Sequence, residues 1–320
     1  MNITAFLKLI RYKNLLVYAL CLVLVRTNII DIFYAANGKE ASVSMGYYMI
    51  FVLVVILALA GFYIINDFND QQIDDVNRLD KNIVVGNTIK PETAKKLYRV
   101  CLYLSFVAFL AFVIPAKPFA IFIGLVVIFI GLLGTTYNKV KKVLLGKNIF
   151  MALVPVALVL FPVVMEYEYV RGDFWDKFVS VLPVVVWLAV VLALVQFIRE
   201  TVKDVQDREG DKQFGVKTLI ISCGEKKTKR LVYLLTALLM ALVLAFQIIY
   251  LSINPVAVAL GITVLVHFPL IYFLVELRKA QKVQDYGFLA DLLSMIFISV
   301  LFVTFLARSV IVWQLAATAA

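Results

Sequence analysis

Residues 46–80 read GYYMIFVLVVILALAGFYIINDFNDQQIDDVNRLD, and this stretch decides the fold. Its first twenty residues carry no charge, and five of its last fifteen are aspartates. About twenty apolar residues are what an α-helix needs to cross the hydrocarbon core of a bilayer. A dense acidic cluster at the end of such a segment lies where lipid gives way to water.

Comparable apolar runs recur along all 320 residues, which are 63% hydrophobic and 16% charged. The sequence predicts nine spans, at about 12–35, 45–66, 97–114, 118–137, 148–166, 177–198, 230–251, 255–275 and 286–313. The fold class is therefore all-α: a polytopic membrane protein, a bundle of nine transmembrane helices forming one domain over residues 1–320, with no sizeable soluble part. Lys8, Arg11 and Lys13 imitate the start of a signal peptide, but no small-residue cleavage site is evident near Ala35 and Ala36, so the segment reads as helix 1. Three cysteines and one histidine give neither a disulfide framework nor a histidine metal site.

The net charge of +10 would suggest nucleic acid in a soluble protein, but its placement explains it here. With the N-terminus inside, 25 of the 31 basic residues fall on the cytoplasmic side. The other six are Arg26, Lys39, Lys117, Arg171, Lys177 and Arg308. This is the positive-inside pattern. It places the chain in the cell (inner) membrane with the N-terminus and both long loops, 67–96 and 199–229, cytoplasmic and against lipid headgroups. No nucleic-acid partner is implied.

Both long loops open with acidic residues. Asp67, Asp70 and Asp74 are spaced D-x-x-D-x-x-x-D, and Asp204, Asp207 and Asp211 repeat that spacing 137 residues later. The repeat predicts two four-helix units, about 1–147 and 148–280, followed by an extra helix at about 286–313. Spacings of three and four put each carboxylate set on one face of a helix, where like charges repel and require a positive partner. Dense carboxylate oxygen suits Mg²⁺, which takes one or two carboxylates and completes its shell with water and phosphate oxygens. The interleaved Arg78, Lys81, Arg199, Lys203 and Arg208 suit a diphosphate, and the apolar bundle beside them suits a hydrocarbon tail.

These residues resemble the UbiA superfamily of intramembrane prenyltransferases. Asn66, Asp67, Asp70, Asp74, Asn77 and Arg78 match its first signature, and Asp204, Asp207 and Asp211, preceded by Lys203, match its second. The stretch with Arg11 and Asn14 is similar to the basic start of the family's helix 1. YNKVKKVLLGKN, residues 137–148, resembles the loop after helix 4, except that Lys147 separates Gly146 from Asn148. The prolines that follow the first motif in members acting on aromatic acids are absent, and Arg78 to Ile83 with VVGNTI at 84–89 looks more like the branch that alkylates glycerol phosphate lipids.

The resemblance implies transfer of a polyprenyl group from an allylic diphosphate to a small acceptor, with Mg²⁺ neutralising the leaving group. The six motif aspartates become metal ligands, with Asp75 and Glu200 as adjacent alternatives. Arg78 and Lys203 become phosphate contacts, joined by Arg11, Lys81, Lys139 and Lys141, with Lys142 on the same loop. Tyr137 would offer a ring face to an allylic cation, and Asn66 would position substrate. Within the bundle, His267 reads as a hydrogen-bonded core residue, Asp291 as interfacial, and Arg26 as snorkelling to the outer surface. An aromatic quinone precursor and haem remain alternative acceptors. A CDP-alcohol phosphotransferase lacks its D-G-x-x-A-R stretch here, and a divalent-cation carrier would want carboxylates near the midplane.

Overall fold

The computed structural model describes residues 3–77, 84–113, 118–133, 137–167, 170, 173–251 and 256–319. Among them the chain is helical apart from turns and an isolated bridge between Val85 and Ile89. The helices that matter below are α1 (Tyr12–Ala36), α2 (Met45–Asn69), α3 (Gln71–Asn77), α4 (Pro91–Val113), α5 (Pro118–Leu133) and α6 (Tyr137–Val140). They continue as α7 (Gly146–Tyr167), α8 (Leu182–Gln206), α9 (Arg208–Gln213), α10 (Glu225–Leu251), α11 (Val258–Lys279) and α12 (Val283–Ala319). Among the described residues eight helices are long and apolar enough to cross a membrane, and Ile121–Leu132 within α5 is a shorter apolar helix.

Lipid is as apolar as leucine, so burial alone does not hold such helices together; close backbone approach and interhelical hydrogen bonds do. α2 lies along α4, and α8 lies between α7 and α12. Gly131 of α5 permits one close approach: a Cβ there would come within 3.2 Å of the Ala58 carbonyl. Across helices, Ser105 Oγ donates to the Val54 carbonyl at 3.0 Å, Tyr48 to Leu22 at 2.7 Å and Trp187 to Leu242 at 3.1 Å. Each such bond contributes about 0.6 kcal/mol in a bilayer.

Two expectations for polar residues inside the bundle can be compared with their surroundings. His267 lies at the end of a π-turn, Thr263–His267, and its Nε2 pairs with Gln247 Oε1 at 2.8 Å, as a core histidine would. Arg26 does not snorkel outward. It is 3% exposed and pairs with Glu166, which is fully buried and also accepts from Tyr34 and the Ser42 amide. The C-terminal parts of α1 and α7 meet there, so a buried anion competes with water for the guanidinium.

The acidic motifs differ from expectation in one respect. Their carboxylates do not share one face of a continuous helix. α2 runs on through Asp67 and α8 through Asp204, beyond the predicted ends at 66 and 198. Each helix then breaks at its second aspartate: Asp70 has φ −91°, ψ 3° and Asp207 has φ −89°, ψ 8°. The third aspartate sits on a short helix beyond the break, α3 or α9. Like charges three and four apart destabilise a straight helix, and the break redirects the third carboxylate.

Candidate active site

α2 and α8 end at the same level, and the short helices α3 and α9 that follow them pack against each other. The bond that joins them runs from the Gly210 amide to Asn77 Oδ1, at 2.6 Å. Gly210 is required by space: a Cβ would lie 2.7 Å from the Asn77 side chain. Beneath this contact is a pocket of about 610 Å³, counting its open mouth. Asp70 and Asp74 face it from the first arm, Asp207 and Asp211 from the second. The two acidic sets therefore share one cavity.

Each arm is held by cations and amides from elsewhere in the chain. Arg11 follows a short helix, Ile3–Leu9, and takes a left-handed backbone (φ 51°) that turns it toward the pocket. Its guanidinium donates to Asp67 Oδ1 at 2.6 Å and lies 5.0 Å from the centre of the Tyr63 ring. Lys141 grips both oxygens of Asp70 and stands 4.9 Å from the Tyr137 ring centre. In the second arm Lys147 pairs with Asp204 Oδ1 at 2.8 Å, while Asn148 donates to Asp204 Oδ2 at 2.9 Å. Glu200 lines the pocket and accepts from Gln196 and Arg199, both at 3.0 Å.

Electrostatics follow from this enclosure. Burial pushes the Asp211 carboxyl up to about 7; Asp207 and Asp204 add to the rise and Lys147 opposes it. Burial also holds the Lys141 ammonium below its usual range, with Asp70 pulling the other way.

Not every expected residue reaches the pocket. Asn66, Tyr137, Lys141 and Lys203 line it, while Asp67 and Asp204 lie behind their cation partners. Lys139, Lys142 and Asp75 are exposed and turned away. In a single helical turn, positions 137 and 141 share a face, and 139 points to the other side. Arg78 and Lys81 lie outside the described residues. Sequence reasoning did not select Lys147, and it singled out Asn148 only through the split Gly-Asn pair. A usable signal existed: the 137-residue offset carries Arg11 onto Asn148, just as it carries Asp67 onto Asp204.

The donor set fits a hard cation. Asp211 Oδ2 and Asn66 Oδ1 are buried without a hydrogen-bond partner. Both are acceptor oxygens, and a divalent ion would satisfy them. Among the described residues no group of three or more carboxylates converges on one ion. A cation here would therefore take few protein oxygens and leave room for water and phosphate, which is the habit of Mg²⁺ more than of Ca²⁺.

One wall of the pocket is aromatic. Phe62, Tyr137 and Phe150 pack together with ring centres 5.2 to 5.5 Å apart. Phe62 and Tyr137 face the polar pocket, and Phe150 faces an apolar groove between α2, α5 and α7 whose far end carries Phe161.

Known proteins resemble this chain in sequence and in fold. The digeranylgeranylglyceryl phosphate synthase of Sulfolobus acidocaldarius is 27% identical over 268 residues, 78% of this chain and 82% of that protein. A solved structure of a digeranylgeranylglyceryl phosphate synthase superposes with a TM-score of 0.60 at 25% identity, covering 95% of this chain and 98% of the other. A UbiA homologue from Archaeoglobus fulgidus, bound to DMAPP and Mg²⁺, has the same fold: TM-score 0.55, 19% identity, 94% and 98% covered. The sequence pattern of the UbiA prenyltransferase family matches residues 23–301. Twin acid arms closing one pocket at the end of an apolar bundle thus have a family, and the chain belongs to it: it is a UbiA prenyltransferase, a multi-pass membrane enzyme.

Proposed function

We propose that this chain is an Mg²⁺-dependent prenyltransferase that moves a polyprenyl group from an allylic diphosphate to a glycerol phosphate lipid precursor. The observation that carries this reading is the shared cavity: Asp70, Asp74, Asp207 and Asp211 face one space, joined overhead by the Asn77–Gly210 bond. A diphosphate held there would lie between the two arms. The likeness to digeranylgeranylglyceryl phosphate synthases supports this acceptor. DMAPP with Mg²⁺, and GPP with Mg²⁺, are bound in structures of the Archaeoglobus fulgidus homologue.

The six motif aspartates would hold Mg²⁺, which neutralises the charge growing on the leaving diphosphate. Arg11, Lys141 and Lys203 line the pocket as candidate phosphate contacts, Lys139 is exposed away from it, and Arg78 and Lys81 are expected contacts from the sequence alone. Asn66 presents a free oxygen to the same space. The allylic C–O bond breaks with its electron pair leaving on the diphosphate. The acceptor hydroxyl oxygen closes the new C–O bond and loses its proton. The faces of Tyr137 and Phe62 stand where the allylic carbon would carry positive charge. The apolar groove beyond Phe150 suits the tail. With basic loops inside, the active site and the N-terminus face the cytoplasm.

An internal duplication accounts for the symmetry. α2 and α8 are both 25 residues long, and their breaks fall at equivalent aspartates.

The test is purified protein with Mg²⁺ and labelled geranylgeranyl diphosphate against glycerol phosphate, quinone-precursor and haem acceptors. Transfer to the geranylgeranylglycerol phosphate acceptor alone is expected. Transfer to an aromatic acceptor instead overturns the acceptor assignment. Mg²⁺ flux into liposomes without donor would point to the carrier reading.

A further inference from the structure

The geometry points to Lys147 as an exchange cation: it neutralises Asp204 while the site is empty and moves onto the donor's diphosphate when Mg²⁺ arrives. The inference rests on the function proposed above.

The two arms show why Lys147 is unusual. The 137-residue offset pairs Arg11 with Asn148, and each donates to the first aspartate of its arm. Asn148 already fills the structural position. Lys147 is an extra charge, and its counterpart in the first arm is Ile10. It is not placed there to hold the turn. Leu145 is left-handed (φ 63°), and Gly146 packs so closely that a Cβ would lie 2.4 Å from the Val140 carbonyl. The backbone is thus fixed before Lys147 begins, and only its flexible side chain can move.

Its position also differs from that of a static buried ion pair. Lys147 lines the pocket, whereas Asp204 does not, so the ammonium lies on the ligand side of the carboxylate. One turn on from Asp207, Asp211 keeps a buried oxygen with no partner, which marks where positive charge is still needed. Both oxygens of Asp204 are engaged, Oδ1 by Lys147 at 2.8 Å and Oδ2 by Asn148 at 2.9 Å, so a divalent ion bound through Asp204 would meet the ammonium at close range. Mg²⁺ sits about 2.1 Å from its oxygens, so on the same carboxylate the two positive charges would repel each other strongly. The ammonium, repelled, turns into the pocket that Lys147 already lines, toward the diphosphate, where lysine serves as a point-charge phosphate ligand.

The consequence is a pair of effects with opposite sign. Replacing Lys147 removes a competitor for the metal and a contact for the donor. In full-length protein in nanodiscs without donor, Lys147→Met should bind Mn²⁺, read by its spin-resonance signal, about fivefold more tightly than wild type. With saturating Mg²⁺, a slowly reacting thiodiphosphate analogue of the donor should bind the same variant about tenfold more weakly. Lys147→Gln should behave alike, covering the case in which the methionine variant does not fold, and Lys147→Arg should stay near wild type in both assays. Weaker binding of both probes, or unchanged analogue binding, would show Lys147 to be a fixed structural partner of Asp204 and overturn the inference. A wild type that binds Mn²⁺ but never the analogue fails differently: it overturns the proposed function, and this inference with it.

Discussion

The two acidic arms carry the same three aspartates on the same backbone, yet their surroundings differ. In the first arm, α3 buries none of its residues. In the second, α9 buries Gly210 and Asp211, and Asp204 at the end of α8 is 1% exposed. The first arm is held by two long cations brought from distant segments, Arg11 and Lys141. The second is held from the first turn of α7 by Lys147 and Asn148, adjacent in sequence. A buried carboxylate must be compensated in place, because desolvation is severe there. An exposed one can wait for its partner. The first aspartates of both arms are buried, Asp67 at 7% exposure and Asp204 at 1%, so the arms differ mainly beyond the breaks, where α3 is more open than α9.

The strongest test of this comparison removes the helix-break aspartates. Asp70→Ala and Asp207→Ala should each lower prenyl transfer on the order of 10²- to 10³-fold, since each deletes a ligand to charge that develops at the leaving group. Steady-state rates at saturating donor would measure it. If either variant keeps near-normal turnover, the arms do not share a ligand.

Smaller effects separate the arms. Arg11→Ala should raise the donor concentration at half-saturation by about 10- to 100-fold, the loss expected for one charge-assisted bond. Asn148→Ala removes a neutral donor and should cost only about fivefold. Equal effects would mean that the arms are equivalent despite their different burial. Gly210→Ala tests the link between them. Its Cβ must displace Asn77, so half-saturation by donor should rise about fivefold, and the Asn77→Ala, Gly210→Ala double variant should be no worse than the poorer single one. Additive losses would show that the contact does not couple the arms. The smallest expected effect is at Lys139, exposed on the far side of α6. Lys139→Ala should change transfer by less than about twofold, whereas Lys141→Met should weaken donor binding by about tenfold. Comparable losses at both would place the loop differently.

Much of this molecule was legible in the sequence. Apolar runs of membrane-spanning length announced the bundle, because the bilayer thickness leaves few other uses for them. The repeated aspartate spacing announced the site, because clustered like charges need a ligand. The local break was not legible. The spacing suited one straight helix face, and only packing of α3 against α9 showed that the third carboxylate is turned across the pocket. Lys139, Lys141 and Lys142 were indistinguishable as letters, and one short helical turn separated them. Arg26 looked like a residue reaching for water, because its partner Glu166 lies 140 positions away.

Taken by itself, the sequence determined that this chain crosses a membrane repeatedly and that two matched acid motifs border the apolar bundle. Those are properties of composition and local spacing, and they follow from transfer free energies and charge repulsion along a single chain. Tertiary structure decided which cation meets which carboxylate, that Asn77 and Gly210 close the two arms over one cavity, and that Lys147 stands between Asp204 and the pocket. Such pairings join residues far apart in sequence, so they depend on how the helices pack and not on the order of the letters.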